Sequence, residues 1–99
     1  LGFSVVSEAG FSSAHKGRVY TARISEADVR DAFARVDTPE VEALVQVGTA
    51  LVCAGFVDGL EAHHGKPVIA VNSATYWLAL RQHGITDRLD GHGILLKNH

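Results

Sequence analysis

Two short stretches place small polar residues where a strand gives way to a helix: Val47-Gly48-Thr49-Ala50 and Val71-Asn72-Ser73-Ala74. In an open parallel α/β sheet, ligands bind beyond the carboxyl ends of the strands, at loops of this kind. The first N–H groups of a helix lack intrahelical acceptors and the helix dipole favours negative charge there, so such junctions suit a carboxylate or phosphate. Gly48, Thr49, Ala50, Asn72 and Ser73 are therefore the candidate substrate-binding residues. On spacing alone a plainer alternative carries more weight: Thr49 and Ser73 only cap the helices they precede.

The single cysteine, Cys53, stands four residues after Thr49 among Leu51, Val52, Ala54 and Phe56. That setting describes a small buried hydrophobe, because a reactive thiolate prefers a first helical turn or a cationic neighbour. The six histidines include the adjacent pair His63-His64. Neighbouring residues on a helix point to different faces, and near its carboxyl end they act as partial cations. His83 precedes Gly84 at another expected helix end, while His15, His92 and His99 fall in loops or the tail. No His-x-x-x-His or comparable ligand spacing occurs, so no metal site is expected. Gly48…Gly55 is not a dinucleotide fingerprint and no phosphate-loop motif occurs, so no cofactor is expected either.

The elements that must position these residues alternate between short β-branched runs and helical segments, the pattern of an α/β fold. Phe3-Ser4-Val5-Val6 reads as a first strand, too short to exist without neighbours. Residues 7–24 are loop-like, with a strand marked at residues 19–24. Ser25, with Asp28 three residues on, predicts a capped helix from Glu26 to Val36 whose stripe is Ala27, Val29, Ala32, Phe33 and Val36. Asp37-Thr38-Pro39 ends it, and Thr38-Pro39 starts a short turn. A strand follows at residues 43–47, then a helix over residues 50–63 or 64 with Leu51, Val52, Phe56, Val57 and Leu60 inward. Gly65-Lys66-Pro67 turns the chain into Val68-Ile69-Ala70-Val71, apolar on both faces and so expected to be covered on both. Asn72-Ser73 caps a helix over residues 74–83, with Tyr76, Trp77, Ala79 and Leu80 as its apolar bulk and Gly84 beyond its end.

The composition agrees with one small globular domain: 99 residues, 46% hydrophobic, 20% charged. Nine basic against eleven acidic residues leave a net charge of −2 with no basic block, so neither nucleic acid nor an anionic membrane is an expected partner. A lone cysteine forms no internal disulfide, and no apolar run approaches the ~20 residues that span a bilayer, so the expected compartment is the cytoplasm. The chain has no methionine and opens at Leu1-Gly2-Phe3, which reads as a piece of something larger.

The segment from Gly65-Lys66-Pro67-Val68-Ile69-Ala70-Val71-Asn72-Ser73 through Ala74-Thr75-Tyr76-Trp77, and on through Leu80-Arg81-Gln82-His83-Gly84-Ile85, resembles the C-terminal lobe of the aspartate/glutamate racemase superfamily. Its maleate cis–trans isomerase and arylmalonate decarboxylase branch is the nearest in pattern. Gly91-His92-Gly93-Ile94-Leu95-Leu96 is similar to the glycine-containing ending of those proteins, and Leu1 to Val6 to the strand after the first helix of that lobe. The resemblance covers nearly the whole chain and is strongest from Val41 onward. It implies a three-layer, flavodoxin-like parallel sheet flanked by helices, one of two similar lobes with the active site between them. Residues 1–99 would then form a single incomplete domain, most of the second lobe. It also implies no metal and no organic cofactor, a small carboxylic or dicarboxylic acid as substrate, and a homo-oligomer at full length. In that family, cysteines facing each other across the cleft do the chemistry, and amides and hydroxyls around them hold the carboxylate.

One departure bears on activity. The family's second-lobe cysteine ends the strand that Leu44–Val47 matches, and without gaps its position falls on Gly48, followed by Thr49. Cys53 comes five residues later and inherits no catalytic role, which leaves the catalytic residues unassigned. Two functions follow as expectations. One is part of a cofactor-independent isomerase, racemase or decarboxylase in which this lobe supplies carboxylate-binding turns. The other is a non-catalytic carboxylate-binding or regulatory domain of the same fold.

Overall fold

The computed structural model describes residues 1–11, 18–21 and 23–99. Residues 12–17 of the expected loop, with His15, and Ala22 of the expected strand lie outside the described residues. Where the strand at residues 19–24 was expected, the chain instead forms one helical turn, α1 (Arg18–Thr21).

Helix α2 (Glu26–Val36) forms as its sequence predicts. The Ser25 hydroxyl accepts from the Asp28 N–H at 3.2 Å, and the Asp28 carboxylate accepts in return from the Ser25 N–H at 3.2 Å. This reciprocal box satisfies two orphan donors of the first turn. Val29 and Phe33 are buried, Ala32 and Val36 half-buried, and Ala27 faces solvent, so the stripe is narrower than expected. The helix stops at Asp37, whose N–H donates to Phe33 O, and a turn closed by the Val41 N–H on Thr38 O follows.

Two strands, β1 (Leu44–Gln46) and β2 (Val68–Ala70), pair in parallel with Leu44 opposite Val68 and Gln46 opposite Ala70. Their connection is a turn, a 3-10 segment (Ala54–Phe56) and helix α3 (Val57–His64). Helix α4 (Val71–Gln82) starts as β2 ends, and α5 (Ile94–Asn98) closes the chain. The result is a small α/β unit with a two-stranded parallel sheet. Among the described residues no helix is long and apolar enough to cross a membrane.

Four further expectations change. The Phe3–Val6 stretch forms no strand, and Leu1, Phe3, Val5 and Val6 are exposed. Among the described residues β1 and β2 ladder only with each other and no strand pairs with this stretch; just after it, Ser7 Oγ donates to Val36 O of α2 at 2.6 Å. The helix expected from residue 50 begins seven residues later, at Val57. Leu51 and Cys53 are buried while Val52 between them is 69% exposed, which is the alternation of extended chain and not a helical stripe. In α4, which starts at Val71 and not at residue 74, Tyr76 and Ala79 face solvent while Trp77 and Leu80 are half-buried. Finally, only one face of the sheet is well covered. Leu44, Gln46, Val68 and Ala70 are buried, but Ile69 is half-buried and Val45 is 60% exposed.

The core lies on that covered face, where Val29 and Phe33 of α2 and Val57 and Leu60 of α3 join Leu44, Leu51, Cys53, Val68 and Ala70. A polar cluster ties the ends of α2 and α3 together. His64, expected as a partial cation at a helix end, has a side chain only 4% exposed, and its Nδ1 lies 2.6 Å from Asp37 Oδ2. Lys66 Nζ donates to the other Asp37 oxygen and to Thr38 O at 2.9 Å. The Lys66 ammonium, and after it His64, hold the Asp37 carboxyl below its ordinary range.

Candidate functional site

β1 and β2 are parallel and in register, so their carboxyl ends lie side by side, and both predicted junctions emerge at the same edge of the sheet. They differ in kind. After β1, Gly48 O accepts from the Leu51 N–H at 3.1 Å and from Gln46 Nε2, closing a turn with Thr49 and Ala50 at its centre. Thr49 therefore caps no helix, and the helix dipole invoked at this junction is absent because α3 starts only at Val57. The N–H groups at the centre of a β-turn are not used by the turn's own hydrogen bond, and Thr49 and Ala50 are both exposed.

After β2 the dipole is present. α4 runs for 12 residues from Val71, and its N-cap residue, Ala70, has no side chain to accept from the first-turn N–H groups. Asn72 and Ser73 sit within that first turn and not before it. Asn72 Nδ2 donates to Thr49 O at 3.0 Å, joining the two junctions directly. Ser73 is 7% exposed, and its Oγ is buried without a partner among the described residues. All five expected residues thus gather at one edge, with the four outer ones accessible and the Ser73 hydroxyl covered.

Beside them is a depression of about 390 Å³, walled by Ala54, Asn72, Ser73, Tyr76, Leu89, His92 and Leu96. No family model and no curated protein matches this chain. The chemistry is therefore read from the geometry. Asn72 and Ser73 supply polar groups to the depression, and Tyr76, Leu89 and Leu96 supply apolar surface. His92 is part of its wall, with Nδ1 3.3 Å from Ala54 O.

The C-terminal segment that brings in Leu89, His92 and Leu96 is held by carboxylates of α3. Asp58 Oδ1 accepts from the Gly93 N–H at 2.6 Å, and Glu61 Oε2 from the Ile94 N–H at 3.0 Å. The other Glu61 oxygen accepts from the Val68 N–H at 3.1 Å, so one side chain links the start of β2 to the start of α5. Sequence reasoning missed His92, Tyr76 and these two carboxylates. The available signal was Gly91-His92-Gly93, a histidine between two glycines with φ of +88° and +92°.

Cys53 is 2% exposed, at the foot of the 3-10 segment and outside any helix. Burial pushes its thiol up to about 11, partly opposed by the Arg30 guanidinium. Alkylation by iodoacetamide in the native state at neutral pH is expected to run at least about a hundredfold slower than for a free thiol, because so little thiolate is present. Labelling as fast as in urea would show that Cys53 is accessible and ionised. Among the described residues no group of three His, Cys, Asp or Glu side chains is placed to hold a metal ion.

Proposed function

We propose that this chain is the greater part of one lobe of a two-lobe, cofactor-independent enzyme of the aspartate/glutamate racemase type, and that its role there is to hold a substrate carboxylate. The observation that carries the reading is the convergence of the two junctions, joined by Asn72 on Thr49 O, at the edge where α4 opens toward the sheet end. Exposed N–H groups at Thr49 and Ala50, the Thr49 hydroxyl, the Asn72 amide and the uncapped first turn of α4 are the donors a carboxylate needs within one small area. The finer architecture belongs to the same proposal. Further strands flanking β1 and β2 would widen the parallel sheet, and helices on its second face would complete three layers and cover Val45. The substrate is a small carboxylic or dicarboxylic acid, and proton transfer or addition falls to a cysteine of the other lobe, with a homo-oligomer as the working assembly.

A second reading, a binding or regulatory domain of the same fold, is favoured by Gly48 at the turn after β1, where the resemblance leads one to expect a cysteine, and by the burial of Cys53.

Titration of the chain with malonate, followed by amide NMR shifts, tests the carboxylate site. The largest shifts are expected at Thr49, Ala50, Asn72 and Ser73. Thr49→Val is expected to weaken binding roughly tenfold, the usual effect of losing one hydrogen bond to a charged group. Unchanged affinity in that variant would remove the turn after β1 from the site.

A further inference from the structure

We infer that the outer edge of β1 is a docking edge for the Leu1–Val6 stretch of a second copy of this chain, so that two copies exchange strands as a dimer. Nothing in this depends on whether the chain binds a carboxylate.

The two edges of the sheet differ. Leu44 lies opposite Val68, and its N–H donates to Pro67 O at 2.9 Å, so the backbone groups of Leu44 face β2. Successive residues of a strand turn these groups to opposite sides, so those of Val45 point away from β2 and those of Val68 away from β1. On the β2 side the outward N–H is taken: Val68 donates to Glu61 Oε1 at 3.1 Å, and the same carboxylate holds Ile94 of the C-terminal segment. On the β1 side, among the described residues, nothing bonds the outward N–H and C=O of Val45, and the side chains of Val45 and Val47 are exposed. Folded proteins usually blunt an open edge with a lysine, another charge or a proline. Leu44-Val45-Gln46-Val47 has none of these.

The chain also carries a strand-forming stretch without a sheet. Leu1–Val6 has no proline and no charged side chain, and Phe3, Val5 and Val6 are types that favour strands. Phe3 is 92% and Val5 84% exposed, and no described strand pairs with them. Ser7, held on Val36 O, fixes where the stretch leaves the end of α2. Each copy thus has one free stretch and one open edge, unmatched within it. Exchange between two copies fills both, and because each stretch and each edge is used once, the assembly closes at two. It also makes each sheet three-stranded, the number an independently stable sheet requires. A phenylalanine buries roughly 150–250 Å² and the other apolar side chains somewhat less, so two stretches and the edges they cover bury on the order of 1,500 Å², a standard stable interface.

Light scattering after size exclusion, from micromolar to millimolar chain, is expected to reach twice the mass of one chain. Val5→Pro removes an N–H from an exposed stretch, and Val45→Lys puts a charge on the edge. Each should weaken the dimer at least about tenfold, the loss of one or two backbone hydrogen bonds, while the helical circular dichroism stays unchanged. The point of contact is read by mixing isotopically labelled native chain with unlabelled chain carrying a nitroxide at Ser4→Cys, Cys53 being buried. The amide signals of Val45 and Val47 in the labelled chain are expected to broaden. A monomer at every concentration overturns the inference, as does a Val5→Pro chain that dimerises like the native one, or broadening that misses Val45. Broadening at Val45 only when isotope and nitroxide share one chain assigns the stretch to its own edge and overturns the exchange.

Discussion

Gly93→Ala is expected to be among the most destabilising single-methyl additions to this chain. A Cβ built at Gly93 would lie 2.6 Å from Val57 Cγ1, a separation real Cβ atoms do not tolerate. Val57 is 1% exposed and sits in the core against the sheet, so it has little room to yield. The backbone at Gly93 adds a second cost, because φ is +92° and an L side chain rarely adopts that conformation. Overpacking a filled core costs about 1–3 kcal/mol and holding a non-glycine residue in such a region about another 1–3, giving roughly 2–4 kcal/mol after partial relaxation. Gly91→Ala separates the two contributions, since φ is +88° there but no atom lies within 4 Å of its Cβ. Urea unfolding should therefore rank native above Gly91→Ala above Gly93→Ala. Equal losses in the two variants would show that the Val57 contact contributes nothing. The consequence for the site is direct, because Gly93 anchors the segment that carries Leu89, His92 and Leu96 to the depression.

How far the sequence discloses this structure depends on how local each cause is. The bounds of helix α2 are legible because its capping box and its buried pair, Val29 and Phe33, lie within nine residues of one another. Gly84, with φ of +74° just past α4, is legible for the same reason. The stretch after β1 misleads because Leu51, Phe56, Val57 and Leu60 fit a helical spacing, while the burial of Leu51 and Cys53 about an exposed Val52 follows period two. Only the position of α2 and the sheet decides between the two patterns. The same limit applies to the site. Gly48, Thr49, Asn72 and Ser73 are readable as strand-end residues, but their convergence depends on the parallel register of β1 and β2. His92 depends on Asp58 and Glu61, more than thirty residues earlier, and no local pattern announces that contact. His64 departs from its expected role for a like reason, since its partner Asp37 is distant in sequence.

Leu60→Ala is the second large effect expected. Leu60 is 0% exposed and lies on the α3 face that meets α2 and the sheet. Truncating such a leucine costs about 2–5 kcal/mol, through lost transfer free energy and the cavity left behind. The upper part of that range applies where neighbours cannot collapse inward, and here α3 is fixed along its length. Asp58 and Glu61 hold the C-terminal segment and β2, and His64 is fastened to Asp37 at its end. Domains of this size are stable by only ~5–15 kcal/mol in total, and this sheet has two strands of three residues each with one face largely open. Leu60→Ala should therefore lower the melting temperature by at least about 10 °C, at roughly 4–8 °C per kcal/mol for a domain of this length. Leu78→Ala is the matched control, since Leu78 on α4 is 49% exposed and should shift stability by no more than about 0.5 kcal/mol. Similar shifts in the two variants would mean that the core does not lie between α2, α3 and the sheet. Leu60 is also absent from the walls of the depression. Any Leu60→Ala molecules that remain folded should bind malonate with native affinity, which separates what holds this unit together from what it holds.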